Sequence, residues 1–163
     1  MTNIYNWAKK YKLAGGSAIP DLKDAKDFLK NQKIDVAVEI GTAYGISTAY
    51  IAQFANKVYT FDVKTYPCRQ LIWDSLKVGD KIIYTLVKGR EDIREQLKSV
   101  NYNFAFIDAR HETEEIEKDF TMVKKCGKVL FHDVDEKRYP DNYEFLKSIG
   151  GKIVFNNLGY WEA

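Results

Sequence analysis

The chain lacks the features that would place it outside the ordinary globular class. It has only two cysteines, Cys68 and Cys126, among 163 residues. They form no disulfide framework, and in the architecture argued below they fall near opposite ends of a sheet, so no bridge is expected. No charge of one sign dominates: the formal net charge is +2, too close to neutral to signal nucleic acid or a membrane surface. No apolar run reaches membrane-spanning length, and no signal-peptide pattern opens the chain, so a reducing cytoplasm is the expected setting. Internal repeats and low-complexity linkers are also missing. A hydrophobic share of 45% and a charged share of 29% remain, the balance of one globular domain with one sizeable core. The expected domain is the whole chain, 1–163.

One glycine pattern is missing as well. Val36-Ala-Val-Glu-Ile-Gly-Thr-Ala-Tyr-Gly45 reads as a buried strand ending in an acid, followed by a tight turn between two glycines. A helix-forming stretch, Ile46 to Phe54, follows. Gly41 and Gly45 tolerate positive φ and have no Cβ to block a close approach. The helix start offers unpaired N–H groups to an anion, with Ser47 and Thr48 beside them. A dinucleotide site prefers G-x-G-x-x-G, whereas here Ala43 and Ile46 stand where the second and third glycines belong. Glu39 ahead of the turn opposes a pyrophosphate and favours a cationic amino group.

From Asp21 onward, helix and strand alternate. Leu22, Ala25, Phe28 and Leu29 make a helical stripe. Strands are predicted near 36–40, 57–61, 81–86, 103–107 and 128–132, with helices over 46–55, 67–77, 90–99, 112–125 and 142–149. Short apolar strands between helices imply a parallel sheet covered on both faces. Lys152–Phe155 and Leu158–Trp161, joined by Asn156-Asn157, form a hairpin, which adds one antiparallel strand. The predicted fold class is therefore α/β: a Rossmann-like, doubly wound, seven-stranded sheet, mostly parallel, with an antiparallel last strand. Residues 1–20, ending in the hinge Leu13–Pro20, have two readings: a helix docked on the core, or a lid over a site.

Polar residues gather at the carboxyl ends of the predicted strands, where open α/β sheets bind ligands. They are Glu39, Asp62, Asp108 and His132-Asp133. Asp62 stands about 20 positions beyond Gly41, where an acid accepts hydrogen bonds from ribose hydroxyls. An adenosine-bearing ligand with an amino-acid end meets these requirements, and S-adenosylmethionine is such a ligand.

Glu39-Ile-Gly-Thr-Ala-Tyr-Gly-Ile-Ser47, with Asp62 and Asp108, resembles the first motif and following acids of class I S-adenosylmethionine-dependent methyltransferases. The similarity is to the catechol, caffeoyl-CoA and sugar O-methyltransferase groups. It covers about residues 34–133 in motifs and the remainder in topology. The resemblance implies that Glu39, Gly41, Thr42, Ala43, Tyr44, Gly45 and Ser47 line the methionine end. It assigns Asp62 and Val63 to the ribose and adenine side, Gly89, Arg90 and Glu91 to the adenine border, and Asp108 to the cofactor. Arg90 and Glu91 also read as a charged first helical turn.

For the chemistry, the resemblance makes His111 the general-base candidate, beside Asp108, since an imidazole titrates near working pH. A solvated helix cap is the other reading of His111. Metal-dependent relatives bind a divalent ion, Mg2+ or Mn2+, through positions matched here by Asp108 and Asp133. His132 occupies the third position, and imidazole suits a softer ion better than magnesium. The chain is short for such relatives, so only 1–20, the 109–112 turn and 133–141 can shape an acceptor site. Such an open site suits a bulky acceptor (a glycan, a lipid-linked sugar or a protein) or a subunit partner that completes it. The expected partners are a small-molecule or glycan acceptor and a second copy in a homo-oligomer. Two further readings stay open: an NAD-dependent oxidoreductase, and a non-catalytic binding subunit built on the same fold.

Overall fold

The computed structural model describes residues 18–66, 69–109 and 112–163. The N-terminal hinge and lid candidate up to residue 17, Cys68 and His111 lie outside the described residues. Cys126 is a free, half-buried thiol.

The chain opens with helices α1 (Ala18–Asp24) and α2 (Lys26–Asn31), which put Leu22, Ala25 and Leu29 out of contact with water. Strand β1 (Val36–Ile40) follows, then α3 (Ile46–Ile51), β2 (Lys57–Asp62), α4 (Arg69–Ser75) and β3 (Ile82–Leu86). The second half comprises α5 (Arg90–Leu97), β4 (Phe104–Ile107), α6 (Thr113–Val123), β5 (Lys128–Phe131), α7 (Pro140–Ser148), β6 (Lys152–Phe155) and β7 (Leu158–Glu162). α3 stops earlier than the apolar pattern suggests. The amides of Asn56 and Lys57 both turn to the Asp35 carbonyl, at 3.0 and 3.1 Å, and so begin β2.

The seven strands form one sheet in the order β3-β2-β1-β4-β5-β7-β6. Pairings among β1 to β5 are parallel, and β7 runs antiparallel to both β5 and β6. The predicted antiparallel strand is present, inserted between β5 and β6 rather than at the sheet edge. The hairpin turn makes this possible: Asn156 takes a positive φ of 32°, a conformation that asparagine tolerates better than most residues.

The period of two along each strand divides the core into two layers. Phe104 and Phe106 face α1 to α4 with Ile46, Tyr50, Ile72 and Trp73. Ala105 and Ile107 face α5 to α7 with Ile93, Leu97, Ile116, Phe120 and Leu146. Burial on both faces explains why these strands read as continuous apolar runs. Strand order reverses at β1, whose neighbours are β2 and β4, so the β1 and β4 exits flank a crevice at the carboxyl edge. No described helix is long and apolar enough to cross a membrane.

α7 is seated by one leucine. A Cβ on Gly151 would stand 2.3 Å from Leu146 Cδ1, and one on Gly159 2.6 Å from Cδ2. The two glycines thus form the hollow that Leu146, 1% exposed, fills. Leu146→Ala is expected to destabilise the fold by about 3 kcal/mol, read as a lower urea midpoint with an unchanged m-value. A shift under a third of that would show that the hollow collapses around the smaller side chain.

Candidate functional site

The crevice is built on a five-residue loop after β1. Gly41 has φ +100°, and a Cβ there would lie 2.3 Å from the Asp108 carbonyl oxygen. Its missing side chain therefore admits neighbouring backbone, not only a ligand. Gly41 N–H donates to the Phe61 carbonyl at 3.0 Å, and Asp108 N–H donates to the Ile40 carbonyl at 2.9 Å, so three strand exits are bound together. Ala43 is also left-handed, at φ 44°, and its N–H donates to Asp62 Oδ2 at 2.7 Å. Lys64 N–H donates to the other oxygen, Oδ1, at 2.9 Å. At Gly45, φ +72°, a Cβ would sit 2.6 Å from the Trp73 indole nitrogen, which donates to the Gly45 carbonyl at 2.8 Å.

Glu39 lies beneath this loop, fully buried. Ser47 Oγ donates to its Oε1 at 2.7 Å, and Thr60 Oγ1 donates to Oε2 at 2.6 Å. Thr48 donates to the same Oε2. Thr42 and Thr60 share a hydrogen bond of 2.6 Å, which continues the network to the loop. This differs from the expectation that Glu39 and Ser47 face the ligand. A carboxylate with no access to water takes its donors from within, and both side chains are used to fasten α3 to β1 and β2. Burial outweighs the three hydroxyls and raises the Glu39 pKa to about 7.

On the other side of the crevice stand Asp108, His132 and Asp133. The His132 amide donates to the Ile107 carbonyl at 3.0 Å, which brings β5's exit beside β4's. His132 is 3% exposed. Its Nδ1 stands 3.2 Å from both Asp108 Oδ1 and Asp133 Oδ1, and its Nε2 stands 3.2 Å from Asp21 Oδ2 on α1. Burial works to lower the imidazole pKa, but the two carboxylates beside Nδ1 prevail and push it up to about 10. Asp108, His132 and Asp133 each offer an atom within 4.8 Å of the others, so they could hold a metal ion.

The 133–142 segment is fixed by Asn142, 2% exposed. Its Nδ2 donates to the Asp133 carbonyl at 3.0 Å, and its Oδ1 accepts from Thr113 Oγ1 at 2.7 Å. Tyr139 lies against Asp133, and burial together with that charge pushes its phenol pKa up. An open cleft of about 680 Å³ follows, lined by Glu112 to Glu115 and Arg138 to Asn142. Of the segments expected to shape an acceptor site, Glu112 comes from the 109–112 turn and Arg138–Asp141 from 133–141.

The remaining candidates divide. Val63 is 54% exposed beside Asp62, an apolar surface at the crevice. Gly89 opens α5, where a Cβ would meet nothing within 4 Å. Arg90 points elsewhere: its Nε donates to Asp119 Oδ1 at 2.5 Å, and its terminal nitrogens donate to Glu115 Oε2 at 2.7 Å and the Glu115 carbonyl at 3.1 Å. It clamps α5 to α6. Glu91 pairs with Arg94 on the solvent side, as a charged first turn does. His111 lies outside the described residues. The sequence reading missed Thr60, Trp73, Asn142 and Asp21. Only Thr60 had a signal, one position inside a predicted strand that ends at the crevice.

The family model described as "Methyltransferase domain" matches residues 38–134. No curated protein matches the sequence. Among solved structures, an O-methyltransferase from Bacillus cereus in complex with S-adenosylhomocysteine superposes with a TM-score of 0.72 at 14% identity, over 98% of this chain and 89% of that one. The O-methyltransferase TomG of Streptomyces achromogenes, involved in tomaymycin synthesis and bound to S-adenosylmethionine, gives 0.74 at 14% identity, over 100% and 90%. At such identities, the likeness establishes the fold alone.

The buried acid makes stability depend on pH. Folded Glu39 holds its proton to about pH 7, whereas its ordinary value is 4.5. Between these limits the folded state binds more protons, so stability falls as pH rises through the window. The penalty is complete above it, at most about 3 kcal/mol. Glu39→Gln is expected to flatten that slope in urea titrations between pH 4.5 and 8. Parallel curves for the two proteins would rule out the buried acid as its source.

Proposed function

We propose that this chain, which belongs to the class I methyltransferase-domain family, uses S-adenosylmethionine to methylate an oxygen of a small-molecule or sugar acceptor. One observation carries the reading: the left-handed loop Gly41–Gly45, tied to Asp62 through the Ala43 amide and to Asp108 through the bare Gly41, sits where strand order reverses.

The residues present suit that donor. Asp62, half-buried at the β2 exit, is oriented by two backbone amides and meets ribose hydroxyls as an acceptor. The exposed face of Val63 supports an adenine ring, with Gly89 at its border. Arg90 acts at one remove, by holding α5, and with it Gly89, against α6. The outward backbone of Gly41, Ala43 and Tyr44 follows the methionine portion, with Thr42, Gly45 and Ser47 holding that backbone from below. Glu39 keeps the loop's shape through Ser47, Thr48 and Thr60.

When bound, S-adenosylmethionine supplies an electrophilic methyl on a sulfonium, transferred in line to the acceptor oxygen. The chain must orient that oxygen and take its proton. His111 is the residue assigned to proton removal, with Asp108 at the same strand exit. A divalent ion held by Asp108 and Asp133 would lower the acceptor hydroxyl's pKa. The cleft between the start of α6 and Arg138–Asn142 offers carboxylates, Tyr139 and Arg138 to a hydroxylated acceptor. The openness of that cleft also leaves room for a second copy of the chain to complete it.

Calorimetry with S-adenosylhomocysteine tests the reading. Micromolar-range binding is expected for the native chain, abolished in Asp62→Ala and sharply weakened in Gly41→Val, with circular dichroism checking that both variants fold. NADH, titrated in parallel, is expected to give no fluorescence change. Absence of heat for the native chain far above that range would overturn the assignment.

A further inference from the structure

His132 is not used by the reading above. It is interior, 3% exposed, and its Nδ1 has no hydrogen-bond partner. The oxygens of Asp108 and Asp133 stand equally far from that nitrogen, at 3.2 Å. A lone acceptor or a misdirected N–H in such a place is costly.

The other ring nitrogen explains how this arises. Asp21 Oδ2, 3.2 Å from Nε2, accepts only a proton-bearing nitrogen. With a hydrogen on Nε2, Nδ1 faces two carboxylate oxygens, a position that holds either the ring's second proton or a metal cation in that proton's place. A cation there would meet one nitrogen and two carboxylate oxygens that converge within 4.8 Å of one another, and would displace the proton that the ring otherwise carries. Neighbouring ligands about 2.1 Å from one ion lie about 3.0–3.4 Å apart, and His132 Nδ1 stands 3.2 Å from each of the two oxygens. A carboxylate behind a histidine is also the usual outer support of a metal-bound imidazole.

Resting on the reading of Asp108 and Asp133 as a cation site, we propose that His132 Nδ1 is its third protein ligand. With this nitrogen the site takes transition ions such as Zn2+ and Mn2+ in preference to Mg2+, and Asp21 positions the imidazole. Mg2+ is poorly served by nitrogen, whereas zinc and manganese accept two carboxylates and one imidazole. α1 thereby becomes part of the site through Asp21, the carboxylate that sets the tautomer.

The test titrates the full chain, stripped with a chelator, with Zn2+, Mn2+ and Mg2+ by calorimetry and thermal unfolding. S-adenosylhomocysteine binding is measured on the same samples. Zn2+ is expected to bind most tightly, Mn2+ next, and Mg2+ at least tenfold more weakly than Mn2+. His132→Ala should lose at least tenfold in Zn2+ and Mn2+ affinity. His132→Asp, an all-oxygen set, should bring Mg2+ level with Mn2+. Asp21→Asn should weaken Zn2+ by about ten- to a hundredfold while S-adenosylhomocysteine still binds. Equal Mg2+ and Zn2+ affinity in the native chain overturns the proposal, as does native-like ion binding by His132→Ala. No ion binding by a chain that still takes up S-adenosylhomocysteine overturns it too, and leaves the methyltransferase reading intact. If S-adenosylhomocysteine fails to bind while the ions follow the expected order, the donor reading falls and the metal site stands.

Discussion

Three strand exits can meet at the carboxyl edge only because Gly41 carries no side chain. A Cβ there would lie 2.3 Å from the Asp108 carbonyl oxygen and 2.8 Å from Ala109 Cα, distances that backbone cannot relieve by rotating. With the position bare, β1 and β4 stay in register to their last hydrogen bond, Asp108 N–H to Ile40. Asp108 is thereby carried to the crevice, and β5 brings His132 and Asp133 alongside through the bond to Ile107. Asp62 reaches across from β2 to the Ala43 amide. The site is a consequence of this close approach.

Beneath it, Glu39 has the opposite character. An acid without solvent is expensive unless its oxygens are satisfied, and here three hydroxyls from two elements satisfy them. The same bonds fasten the start of α3 to the sheet, so a group that resembles a ligand contact acts as an internal tie. Trp73 works comparably from outside: its indole covers Gly45 and holds that carbonyl. The loop is thus held from β2, from α4 and from below. A loop supported on three sides keeps left-handed residues such as Ala43 in place without a ligand.

Much of the fold was legible because periodicity is local. Runs such as Val36–Ile40 and Phe104–Ile107 declare strands buried on both faces, and Asn156-Asn157 declares a hairpin. The insertion of β7 between β5 and β6 was not legible, since pairing partners depend on which edge remains free after the parallel strands assemble. The acids at the strand ends were placed from the sequence because a strand's end is a local property. Arg90 stands at the start of α5, where a charged first turn was expected, yet its guanidinium turned to Glu115 and Asp119, acids on a later helix that no spacing rule connects to it.

The sequence by itself determined the class of the molecule: alternating elements, a glycine turn after β1, and acids at the ends of the strands. Each of these follows from neighbours within a few residues, where backbone geometry and side-chain period leave little choice. Tertiary structure alone decided which groups look into the crevice and which look inward. It hid Glu39 under hydroxyls, tied Asn142 to Thr113 and Asp133, and placed Asp21 against His132, 111 positions apart in the chain. Those partnerships are set by the way helices pack over a twisted sheet, and only a folded chain brings such distant charges within reach of one another.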